Sequence, residues 1–114
     1  MELLVSGLFR SIGYEARRGQ QYCGANGDAD VVGPPHLHIE CKARERGQGE
    51  LYDWMSQAKA DAKEGEIPVV IHKKNNCAVL VTMEFDQWAK LYQAWEVEQN
   101  DKTNYREGVC DNRL

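Results

Sequence analysis

Asp30, Glu40 and Lys42 stand in the stretch "GDADVVGPPHLHIECKARE", residues 27–45. Acidic residues are poor strand formers and are rarely buried unless paired or metal-bound. Glu40 and Lys42 nevertheless sit in a stretch that alternates like a strand. Being two apart, they share one side of it. Asp30 lies on the preceding strand, across a turn built from Gly33, Pro34 and Pro35, so an antiparallel pairing can bring it beside Glu40. Two neighbouring carboxylates repel, and a divalent cation relieves that conflict. Magnesium takes oxygen ligands, commonly one or two carboxylates plus a phosphate. Lys42 adds a positive charge on the same face, able to orient a water or stabilise charge on a phosphate. The chemistry this trio suits is phosphodiester hydrolysis; a purely structural salt-bridge cluster is the other reading of the same residues.

Asp28 competes with Asp30 as a metal ligand. It follows the turn pair Asn26-Gly27, where an aspartate can simply cap the turn. Asp30 is favoured because Val31 and Val32 continue from it as a strand. His36, His38 and Cys41 lie close in sequence, but alternation sends His38 and Cys41 to opposite faces and no second ligand pair appears, against structural zinc. Both histidines read as surface residues, with His38 on the Glu40 side at the edge of the site.

The elements that must position these groups are legible from periodicity. Residues 2–12 carry Leu4, Leu8 and Ile12 at helical spacing, with Val5 and Phe9 alongside, which predicts a helix with that stripe facing the core. Gly13 stops it. "YEARR" reads as a short strand, residues 19–28 as a polar loop, and "ADVV" and "HLHIECKA" as a hairpin. Residues 50–64 read as a helix with Leu51, Trp54, Met55, Ala58 and Ala62 inward, ended by Gly65. "IPVVIHK" and "CAVLVTM" read as strands around the turn 74–76. A last helix over 84–98 has Phe85, Trp88, Leu91, Tyr92 and Trp95 as its apolar side, and the tail from Asn100 lacks periodicity. Trp54, Trp88 and Trp95 read as core or dimer contacts. The crossover helix after the Glu-Cys-Lys strand makes that strand parallel to "IPVVIHK". The fold class is α/β, a central mixed sheet flanked by helices, in one domain over residues 1–114 with an irregular tail.

Composition permits this. The chain has 114 residues, 42% hydrophobic and 28% charged, enough for one core. No stretch reads as a membrane span or signal peptide, so the expected location is cytoplasmic. Four scattered cysteines without a C-x-x-C argue against a disulfide framework. The net charge of −4 argues against strong nonspecific nucleic-acid binding, but the basic residues cluster locally, as at Arg17-Arg18 and Arg44.

"ADVV…HIECK" resembles the motif of the PD-(D/E)xK nuclease superfamily, and within it the chain is similar to archaeal-type Holliday junction resolvases and related small phage nucleases. The resemblance covers most of the chain, with Ala29 where a proline is usual. It implies a restriction-endonuclease-like core and a Mg2+- or Mn2+-dependent endonuclease acting on DNA, structure-selective for branched DNA and homodimeric. It implies Asp30 and Glu40 as metal ligands with the backbone carbonyl of Cys41 as a third, and Lys42 as the catalytic lysine. Glu2, in the first helix, and Gln57, in the helix after the lysine, match two further positions near the reaction centre. Arg17, Arg18, Gln20, Gln21, Tyr22 and Arg44 are the implied DNA contacts. Two other readings compete: a catalytically silent nuclease fold that binds DNA, and a phage protein whose acidic surface binds protein partners.

Overall fold

The computed structural model describes residues 1–20, 29–43 and 48–104. The chain divides into two compact units, Met1–Met83 and the part from Glu84 onward. The first holds a five-stranded sheet ordered β1-β2-β3-β4-β5, formed by β1 (Arg17–Arg18), β2 (Val31–Val32), β3 (Leu37–Lys42), β4 (Ile67–His72) and β5 (Leu80–Thr82). Two helices accompany it, α1 (Glu2–Ser11) and α2 (Gln48–Asp61). The second unit is the helix α3 (Phe85–Asn104).

The pairings follow the expected pattern. β2 and β3 form the antiparallel hairpin with Val31 opposite Ile39, and β3 runs parallel to β4 with Glu40 opposite Val70. The sheet is therefore mixed, as the crossover helix implies. Pro68 sits inside β4 without breaking the ladder. The Ile67 amide donates to the His36 carbonyl at 2.8 Å, so position 68 points to the other neighbour, where β5 pairs only from Val70 onward. No donor is needed there.

Alternation divides the sheet into two faces. Ile39, Cys41, Val69 and Ile71 join Val5 of α1, Ala16 and Val31 in one core cluster, and Val70 packs under Met55, Ala58 and Trp54 of α2 in another. Glu40, level with Val70, belongs to the α2 face. Gly33 makes the β1–β2 approach possible: its φ is +123°, and a Cβ there would lie 1.7 Å from the Glu15 carbonyl oxygen.

The α1 stripe differs from expectation. Leu4, Leu8 and Ile12 are exposed, and Val5 and Ser6 are the buried residues. Strand β5 covers only the middle of "CAVLVTM", because Cys77 closes the preceding turn on the Lys74 carbonyl. α2 ends before Gly65, which lies in the turn to β4 at φ +87°. α3 continues past residue 98 to Asn104. Its apolar side is exposed, with Phe85, Trp88, Tyr92 and Trp95 stacked in sequence at centroid distances of 5.8, 5.3 and 5.9 Å. Trp88 and Trp95 are therefore not core residues; Trp54 is half-buried against its cluster.

Candidate active site

The site forms just before β2 begins. The Asp30 amide donates to the Ile39 carbonyl at 2.9 Å, and the Cys41 amide donates to Oδ2 of Asp30 at 2.8 Å. The aspartate side chain thus takes the place of a backbone acceptor on the β3 ladder. This brings its carboxyl within hydrogen-bonding reach of Glu40, which is 7% exposed. Burial pushes Asp30 up to about 6; the Cys41 hydrogen bond opposes this, while the charge and contact of Glu40 and the charge of Glu2 add to it. Two acids named from the sequence therefore meet here, and the charge of Glu2, in the first turn of α1, acts on Asp30 as well.

His38 closes the other side of Glu40. Its Nε2 lies 2.7 Å from Oε2 of Glu40, with both side chains under a tenth exposed. Nε2 donates in this contact when the ring carries its proton there. That hydrogen bond raises the His38 pKa; burial opposes it, and the charges of Glu40, Glu66 and Asp61 support it. The expectation of a surface residue is corrected for His38, which is buried, and holds for His36, which is exposed. His38 was legible only as a residue on the Glu40 face: it also faces Asp61, at the end of the crossover helix, and Glu66, in the turn beyond it.

Lys42 projects to the α2 face, its Nζ 6.0 Å from the centre of the Trp54 ring, and it has no acidic partner among the described residues. Cys41 points to the opposite face; burial, followed by the charges of Asp30 and Glu2, pushes its thiol up to about 12, so it is an inert packing group. Among the described residues, one group has metal-binding character: His38, Glu40 and Asp61, with ligand atoms within 4.8 Å of one another. Two carboxyl groups and no thiolate make an oxygen-rich donor set that suits a hard divalent cation.

The remaining expected residues are more scattered. Gln57 is exposed on α2 and makes no hydrogen bond to a described residue. Arg17 and Arg18 are exposed on β1. Arg17 lines an open cleft of about 440 Å³ with Arg10, Glu15, Ala16 and Gly33. Gln20 is exposed and has an interaction partner. Gln21, Tyr22, Asp28 and Arg44 lie outside the described residues.

A protein-family model described as "Phage putative PDDEXK endonuclease" matches residues 7–110. The chain belongs to this PDDEXK endonuclease family. DNA is the substrate class the family implies. No curated protein matches the chain. Among solved structures, it is similar to a Holliday junction resolvase, Hjc, from the archaeon Archaeoglobus fulgidus. The identity is 20%, the match covers 72% of this chain and 73% of that one, and the TM-score is 0.48. Among the described residues, no helix is long and apolar enough to cross a membrane.

Proposed function

We propose that the chain is a divalent-metal-dependent DNA endonuclease whose reaction centre is Asp30, Glu40 and Lys42. One observation carries this reading: Asp30, pushed up to about 6 by burial and by Glu40, is half of a carboxyl pair that a cation would relieve. Asp30 and Glu40 would hold Mg2+ or Mn2+. A strand residue directs its N–H and C=O to the same neighbour, and the Cys41 N–H points to Asp30, so the Cys41 carbonyl is available on that side as a third ligand. When bound, the cation supplies Lewis-acid polarisation of a phosphoryl oxygen. Glu2 strengthens the negative field at Asp30. Lys42 Nζ donates to a non-bridging phosphate oxygen and stabilises the charge that develops there. Gln57, on α2 one turn from Trp54, would hold Lys42 or a phosphate.

Arg17, Arg18 and Gln20 are the proposed backbone contacts, joined by Gln21, Tyr22 and Arg44. Preference for branched DNA and action as a homodimer, in the cytoplasm of an infected or bacterial cell, complete the reading. The exposed aromatic side of α3 supports self-association.

The test is cleavage of supercoiled, linear and four-way-junction DNA in one assay, with Mg2+ or Mn2+. The proposal expects cleavage that chelator abolishes, fastest on the junction. Equal rates on all three would remove the structure preference. Metal-independent DNA binding with no cleavage would favour the silent binding module.

A further inference from the structure

The geometry points to His38 as a positioning residue that fixes the Glu40 carboxylate for cation binding, an inference that rests on the cation site proposed above. Glu40 has three rotatable side-chain bonds and faces Asp30, which repels it. Left alone, such a carboxylate turns away from its neighbour, and a cation then has to draw it back. The His38 ring prevents this. Its Nε2 holds Oε2 of Glu40 at 2.7 Å, so one carboxyl oxygen is anchored by the ring and Oε1 is the one it leaves unanchored. Residues i and i+2 of a strand share a face, so the contact costs no backbone distortion.

At its other end the ring faces Glu66. Nδ1 lies 3.8 Å from Oε1 of Glu66, and that same oxygen accepts the Lys63 amide at 2.9 Å in the turn after α2. His38 is only 4% exposed, level with Pro68 on the neighbouring strand, so it has little room to rotate. A chain of contacts thus runs from the α2–β4 turn through Glu66 and His38 to Glu40. Partners that orient a ligating carboxylate typically change metal affinity when removed. A histidine that merely filled space would change stability and leave metal affinity alone. A histidine that ligated the cation itself, with Glu40 and Asp61, would show nitrogen coupling to the metal.

The experiment measures Mn2+ binding to the full chain by calorimetry, with pulsed electron paramagnetic resonance for nitrogen coupling and thermal melts for folding. The variants are His38→Leu, which keeps bulk and removes the donor, His38→Gln, which restores a donor amide, Asp30→Asn and Glu40→Gln. The expected result is that Asp30→Asn abolishes binding and His38→Leu weakens it by about tenfold or more, whereas His38→Gln stays within about threefold of wild type. In cleavage assays the His38→Leu defect appears as a higher half-saturating Mn2+ concentration and largely disappears at saturation. Should His38→Leu not fold, His38→Phe takes its place. Wild-type affinity in the donor-less variant, with binding lost in Asp30→Asn, overturns the positioning role and leaves the cation site standing. Nitrogen coupling in the wild type overturns it in favour of direct ligation. Unchanged binding in Asp30→Asn and Glu40→Gln alike removes the cation site and this inference with it.

Discussion

The amide of Cys41 donates to the Asp30 carboxylate at 2.8 Å, across the point where the β2–β3 ladder ends. One hydrogen bond thereby fixes the distance between two acids that come from different strands. It also explains why a two-residue strand suffices: Val31–Val32 and the Asp30 side chain together pair the first strand of the hairpin to β3.

That arrangement has a cost in the metal-free protein. Asp30 is raised to about 6 in the folded chain against an ordinary 3.8, so the folded state binds the extra proton between those values. Stability from this group is present at low pH and falls as pH rises through about 6. Asp30→Asn keeps an acceptor for the Cys41 amide and removes the charge. The site is half open and solvent screens it, so the gain is about 1 kcal/mol, roughly 4–8 °C in Tm, above pH 6.5. Melts of both proteins without metal check this; the difference should vanish near pH 4.

The same proton competes with the cation. Mn2+ binding requires Asp30 to be deprotonated, so its Kd should rise roughly tenfold from pH 7 to pH 5. Calorimetry at the two pH values measures it. A flat profile would place the metal away from Asp30.

Lys42 should act on the phosphate rather than on the metal. Lys42→Ala is expected to lower kcat by roughly 10²–10³, the usual loss for a donor to a developing charge, with Mn2+ affinity within a few-fold of wild type. Single-turnover cleavage beside calorimetry separates the two effects.

Gly33 should tolerate no side chain. A Cβ there meets the Glu15 carbonyl at 1.7 Å and φ is positive, so Gly33→Ala should cost at least about 1–3 kcal/mol. A loss visible in denaturant unfolding, accompanied by weaker Mn2+ binding, would show that the β1–β2 junction also holds Asp30 in place.

The strand alternation made the site legible before any coordinates: Glu40 and Lys42 on one face, Asp30 across a turn, Cys41 on the other side. The helices were less readable. α1 has apolar residues on two adjacent arcs; spacing put Leu4, Leu8 and Ile12 in the core stripe with Val5 and Phe9, and of the aliphatic residues only Val5 is buried, together with its neighbour Ser6. A serine offers no signal of burial, and the Ser6 hydroxyl has no hydrogen-bond partner among the described residues. His38 was hidden for another reason. Its burial depends on Glu40, two residues away, and on Glu66, which the crossover helix brings back to the start of β3. Local periodicity has no access to such a contact. The α3 aromatics were correctly grouped on one side, yet that side is exposed, because amphipathic spacing tells which residues share a face and not what covers it.

The most direct measurement is nicking of supercoiled DNA in Mg2+ by the wild type, Asp30→Asn, Glu40→Gln and Lys42→Ala, each shown to be folded. The account predicts chelator-sensitive cleavage by the wild type and a loss of roughly 10²-fold or more in every variant. Cleavage by the three variants at the wild-type rate would contradict it.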